Sequence, residues 1–250
     1  MSAPRHYRAA FWEQAVDVRE EWRDHGTACG PSDEGAAEQA ISRVYRSLGR
    51  ARPRFVWVRS PREAQPLVAH LPTLQDLYRW VKEPPAGTAP PLASDLATAL
   101  ARLRGRMDAE IAKPWFDPKP PKRDKEELWK RQPVEHALAL GIPLVEVVRH
   151  YVREALFMEL AHGFYLPAKR MLGDPGPVCW YGQQEAHWLA YYEVWRRLGL
   201  AKYGETLDTE LDTWQQIARN TGWFWPDETH CVISRRPVAP NVFADGWTVS

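Results

Sequence analysis

PLVEVVRHYVREALFMELAHG, residues 143–163, and WYGQQEAHWLAYYEVWRRLGL, residues 180–200, decide the fold class of this chain. In both, apolar residues recur at steps of three and four, the signature of amphipathic helices. At about 100° per residue, Val145, Val148, Val152, Ala155 and Leu156 share one face of the first segment. Glu159 falls at the centre of that face and His162 on its edge, while Glu146, Arg149, His150 and Arg153 form the opposite polar stripe. An acid where the pattern asks for hydrocarbon must be paired, protonated or functional. Glu159-x-x-His162 also has the spacing of a carboxylate–histidine metal pair. No second copy is found in the sequence, so no metal site is assigned, and the other reading of the pair is a salt bridge or cap.

In the second segment Trp188, Tyr191, Tyr192 and Trp195 make an aromatic stripe, and Gln184 and Glu185 continue it toward the N-terminus with Tyr181. His187 flanks it, and Glu193, Arg196 and Arg197 take the side read as exposed. Such a stripe is commonly core. Turning polar at one end, it also describes one wall of an apolar pocket with a few orienting groups.

The flanking sequence is helical as well. Tyr7, Phe11, Ala15, Val18 and Trp22 predict a helix over 5–25, and Ile41, Val44, Tyr45 and Leu48 a second over 33–49 with Ser32 as its cap. RFVWV, residues 54–58, reads as a short strand, and Ser60-Pro61 starts a helix over 60–70 with Glu63 at capping-box spacing. Further helices are expected at 73–82, 93–112, three across 125–199, and 206–219. The tail, with Trp223, Trp225, His230 and the pair Arg235-Arg236, reads as two or three small strands with a turn at Asp245-Gly246. The fold class is therefore mainly α: a single helical domain, 1–250, with a short N-terminal strand and a small C-terminal β element. Possible lobes 1–83 and 125–250 are joined by a Pro-rich, partly helical segment, 84–124.

With 33 Lys and Arg against 32 Asp and Glu, the chain lacks the clustered basic face of a nucleic-acid binder. The basic run Lys119 to Arg123 reads as a solvated linker. Three cysteines, Cys29, Cys179 and Cys231, argue against a disulfide framework, and no apolar run approaches a membrane span. The N-terminus lacks the apolar core of a signal peptide, so a cytoplasmic location is expected. Thirteen tryptophans require a thick core, an aromatic-lined cleft, or both. Cys179, His187, His230 and Cys231 are zinc ligands by type, but their spacing fits no known clip. No phosphate loop, nucleophile elbow or triad pattern is present, and no cofactor is indicated.

G-Q-Q-E-A-H-W-L-A-Y-Y (182–192), T-G-W-F-W-P (221–226), V-I-S-R-R-P (232–237) and A-I-S-R-V-Y-R-S-L-G-R-A-R-P-R-F-V-W-V-R-S-P (40–61) together resemble an uncharacterised bacterial family, DUF6745. The resemblance implies a shared fold and a bacterial cytosolic setting, and brings no activity. The family pattern has His-Asp where this chain has Gln184 and Glu185, so an acid–base pair at those positions would lack its imidazole here. Family members also continue past the Arg-Pro with a longer β segment.

Two functions are expected from these features. One is a ligand-binding or interaction module for a small molecule or protein, with Gln184, Trp188, Tyr192, Trp223, Trp225, Arg235 and Arg236 contacting the ligand. The other is an enzyme acting on a small or nucleotide-like substrate, with Glu159 or Glu185 as general base, His162 or His187 as its partner and Arg236 as anion clamp. Arg236 pairing with Glu159 or Glu185 simply to hold the tail down is the structural alternative.

Overall fold

The computed structural model of the chain describes residues 3–87, 89–119, 127–167, 176–180 and 182–238. The expected turn at Asp245-Gly246, Tyr181 and most of the run Lys119 to Arg123 lie outside them. The helices are α1 (Ala3–Gly26), α2 (Glu34–Ser47), α3 (Pro61–Val68), α4 (Leu74–Lys82), α5 (Leu92–Ala109) and α6 (Val134–Leu140). Next come α7, in the continuous stretches Leu144–Val148, Arg149–Glu154, Ala155–Leu160 and Ala161–Tyr165, then α8 (Ala186–Arg197) and α9 (Gly204–Asn220). Short 3-10 turns span Leu128–Arg131 and Gly182–Glu185. The strands are β1 (Arg54–Val58), β2 (Phe224–Pro226) and β3 (His230–Ser234). The architecture is mainly helical, with the expected short N-terminal strand and small C-terminal sheet.

Local chemistry explains the boundaries. Asp33, rather than Ser32, caps α2 by accepting from the Ala36 N–H at 2.8 Å. Ser60 caps α3 by accepting from the Glu63 N–H. Thr73 and Asp76 close a reciprocal capping box at the start of α4. β1 does not stand apart from the C-terminal strands. It pairs parallel with β3, Arg54 opposite His230 through Val58 opposite Ser234, and β3 pairs antiparallel with β2. One face of this sheet packs with α3 into a small core of Val58, Ala64, Val68, Trp223, Trp225 and Val232.

The larger core is assembled around α8. Every residue from Trp188 to Trp195 is buried, under α1, α7 and α9. Glu193, expected on an exposed side, is only 5% exposed. Its carboxylate accepts from Arg196, Arg197 and Gln215 at 2.6–2.9 Å, so the charge is buried with its partners. Arg197 also reaches Glu21 of α1, and Arg196 reaches Asp212 of α9. These bonds explain how a helix with a charged stripe sits at the centre of the molecule.

The expected burial of Glu159 is overturned. Glu159 and His162 are both exposed, as are Ala155 and Phe157. The buried line on α7 is Leu144, Val148, Val152, Leu156 and Leu160, a step of four throughout. In a regular α-helix that line would drift around the axis. Here the stretches Arg149–Glu154 and Ala161–Tyr165 are π-helical. A π turn takes in an additional residue, which rotates everything after it by about 100° relative to an α-helical projection. That rotation carries Glu159 off the buried face. Among the described residues no helix is long and apolar enough to cross a membrane.

Candidate functional site

The site is built on the turn that starts α8. Trp180 exchanges backbone hydrogen bonds with Phe224 of β2 at 2.8 and 2.9 Å, which seats the incoming chain on the sheet edge. The chain then bends at Gly182, whose φ of +49° suits glycine. Gln183 is fully buried, and its Nε2 donates to the carbonyls of Gly26 and Ala28, tying the turn to the end of α1. Gln184, 6% exposed, accepts from the Trp223 indole N–H at 3.2 Å. Glu185 accepts from the Trp188 indole N–H at 2.6 Å and from Arg104 of α5 at 3.2 Å. The Arg104 guanidinium lies over the Trp188 ring, 4.6 Å from its centroid. Arg104 therefore stacks and pairs at once, as its planar cation permits.

These groups border a cleft of about 440 Å³ between α5 and the second half of α7. Leu100, Ala101 and Arg104 form one wall; Phe157, Leu160 and Tyr165 form the other; Trp180, Gln184, Glu185 and His187 form the base. The balance is a mostly apolar enclosure with a few converging polar groups, the usual composition of a small-molecule site. Two donors in it, Arg104 Nε and Gln184 Nε2, are buried and have no acceptor among the described residues. An unmatched buried donor is costly, and here two occur in the lining of one cleft.

His187 carries the acid–base potential. Its Nδ1 is 3.0 Å from the Gln184 carbonyl oxygen, which can only accept, so Nδ1 bears the hydrogen and Nε2 presents a lone pair. Burial lowers the imidazole below its ordinary range, with the Glu185 carboxylate opposing that shift. Burial also pulls Arg104 down, again opposed by Glu185. Arg104 nonetheless remains a cation at any ordinary pH. The neutral state of His187 has a consequence for stability. The unfolded chain protonates this ring near pH 6.5 and the folded chain only at lower pH. Stability from this group is complete above pH 6.5 and declines as pH falls from there toward the folded value. His25, also lowered chiefly by burial, acts in the same direction. The His187→Gln variant is expected to lose less melting temperature than the wild type between pH 7.5 and 5.5, with the His25 share remaining. Equal slopes in the two proteins would show that His187 is not held neutral.

Of the residues singled out in the sequence, Gln184, Glu185 and His187 meet at the cleft. Trp188 lies beneath it. Tyr192 is core and donates through its hydroxyl to the Arg104 carbonyl and to Asp108. Trp223 and Trp225 are buried in the small core under the sheet. Arg235 pairs with Glu34 at 2.6 Å. Arg236 donates to the carbonyls of Arg219 and Pro31 rather than to Glu159 or Glu185, so its tie holds the tail by backbone capping. The arginine that borders the cleft is Arg104 rather than Arg236. Sequence reasoning missed Arg104, although a signal existed. Leu96, Leu100, Leu103 and Met107 set the buried face of α5, and Arg104 sits one turn after Leu100 on its border. Among the described residues no group of three or more His, Cys, Asp or Glu is placed to hold a metal. No family model, curated protein sequence or solved structure matches this chain, so the reading of the site rests on its own geometry.

Proposed function

We propose that this protein is a small-molecule binding domain whose ligand occupies the cleft over the 182–187 turn. The observation that carries the reading is the pair of buried, unmatched donors, Arg104 Nε and Gln184 Nε2, set in apolar walls. Donors of this kind favour a ligand with a carbonyl or carboxylate acceptor next to an apolar or aromatic body. The balanced net charge favours a small partner over nucleic acid. The resemblance of 40–61, 182–192, 221–226 and 232–237 to the DUF6745 family supports placing this role in a bacterial cytoplasm. The test is a thermal-shift screen of small aromatic and aliphatic carboxylates against the wild type and Ala101→Trp. Ala101 is exposed at the cleft mouth, so an indole there fills the cleft without entering the core. Compounds that stabilise the wild type are expected to leave the variant unshifted. Equal shifts in both would place binding elsewhere.

A second reading, catalysis, is favoured by one feature: the neutral His187 with its Nε2 lone pair at the cleft wall beside Glu185 and the Arg104 cation. In that case His187 is the general base and Arg104 holds the developing negative charge. Turnover of a bound compound that His187→Gln abolishes while leaving affinity intact would select this reading over simple binding.

A further inference from the structure

The donors and acceptors at the base of the cleft are fixed by their neighbours. The Trp223 indole N–H can only donate, so the Gln184 side-chain oxygen faces it and Nε2 is left as a donor. Gln184 is 6% exposed, and its Nε2 has no acceptor among the described residues. His187 is fixed in the opposite sense. Its Nδ1 gives its hydrogen to the Gln184 carbonyl at 3.0 Å, so Nε2 carries a lone pair. That lone pair meets no donor among the described residues. One turn of the lining therefore presents an unused donor and, three residues on, an unused acceptor.

The charges of the lining are already balanced. Arg104 and Glu185 pair with each other at 3.2 Å, and the same Glu185 oxygen accepts from Trp188 at 2.6 Å. With His187 neutral, the lining carries no net charge. Arg153 lies outside the lining, its guanidinium 5.7 Å from the Tyr191 ring centroid. An anionic ligand would set acceptors against the His187 lone pair and the Glu185 carboxylate, with no cation of the lining free of a counter-ion to receive it. The other walls are hydrocarbon and rings: Leu100, Leu160, Tyr165, Trp180 and Phe157, whose ring centroid is 5.1 Å from that of His187.

Resting on the cleft reading above, we infer that the ligand is an uncharged amide on a ring-sized apolar body, its carbonyl accepting from Gln184 Nε2 and its N–H donating to His187 Nε2. The carbonyl has two lone pairs, so it also serves the unmatched Arg104 Nε. An amide offers both halves of this pattern without charge. A ketone of the same shape leaves the His187 lone pair with no donor, and a carboxylate leaves it facing another acceptor. A site built to bond a ligand N–H rejects analogues that lack one, because its own polar group is then stranded.

Calorimetric titration with benzamide, acetophenone and benzoate, three probes of nearly equal shape, tests this. The proteins are the wild type, His187→Asn and Ala101→Trp. Asparagine keeps an N–H for the Gln184 carbonyl and places nothing at the Nε2 position, so that chain is expected to fold. In the wild type benzamide is expected to bind roughly tenfold more tightly than acetophenone and than benzoate. In His187→Asn benzamide is expected to fall to the level of acetophenone, and in Ala101→Trp all three are expected to be lost. The wild-type ranking needs no variant, so it decides the matter even where His187→Asn does not fold. Equal binding of benzamide and acetophenone to the wild type, benzoate as the tightest of the three, or a benzamide preference that survives in His187→Asn overturns the inference. If those compounds are still excluded by Ala101→Trp, the cleft reading stands without it. Binding that is undiminished in Ala101→Trp removes both. Binding of none of the three overturns the inference, and the carboxylate screen then decides the cleft reading separately.

Discussion

Gly182→Ala is expected to lower the melting temperature by roughly 10 °C or more. A Cβ at Gly182 would stand 1.8 Å from the Gly222 carbonyl oxygen and 2.8 Å from that of Thr221. Both are backbone atoms, fixed by β2, β3 and the Ser234 hydrogen bonds to Trp223, and cannot rotate away. The positive φ adds strain of its own. A penalty of about 3 kcal/mol or more follows. Circular dichroism melts read it directly, and a shift under about 2 °C would mean that the turn does not press on Gly222. Ligand binding is expected to fall with stability, because Gln184, Glu185 and His187 are all placed by this bend.

The second large effect concerns Arg8 and Asp117, a buried ion pair that ties α1 to the loop before α6 and to the start of α7. Arg8 is 3% exposed and Asp117 9%. Arg8 also donates to the Ile142 carbonyl, and Asp117 accepts from the Leu144 N–H at 2.9 Å. Arg8→Met leaves the carboxylate buried with one backbone donor, a loss of about 3–5 kcal/mol. Asp117→Asn keeps an acceptor for Leu144 but removes the charge. The double variant Arg8→Met, Asp117→Asn is therefore expected to be more stable than Arg8→Met alone. Chemical denaturation of the three proteins measures this, and a double variant less stable than Arg8→Met would contradict a buried-charge origin.

Legibility followed locality. Helices α1, α2 and α3, strand β1 and the cap at Ser60 were readable because periodicity and capping act within a few residues, whereas the cap of α2 was placed one residue early, at Ser32 instead of Asp33. The polar start of α8 was readable for the same reason, and Gln184, Glu185 and His187 followed from it. Glu159 was misplaced because the projection assumed a uniform 100° per residue, and π-helical turns leave no plain mark in residue type. Glu193 looked like a surface acid because its partners Gln215 and Glu21-bound Arg197 come together only in the folded chain. Arg104 and Glu185, Gly182 and Gly222, and the parallel pairing of β1 with β3 are likewise contacts between distant segments. Trp223 and Trp225 share a small core with α3 and the sheet, a grouping of distant segments that composition does not show.

The central claim is that the Gln184–His187 turn and Arg104 form one ligand-accessible cleft. Nuclear magnetic resonance of the histidine rings, recorded with and without a compound that stabilises the wild type in the thermal screen, tests it most directly. The account predicts a hydrogen on His187 Nδ1 in the free protein and a change at the His187 ring on saturation, with the exposed His162 unaltered. A bound compound that leaves His187 unmoved, or a His187 ring protonated on both nitrogens in the free protein at pH 7, would contradict it.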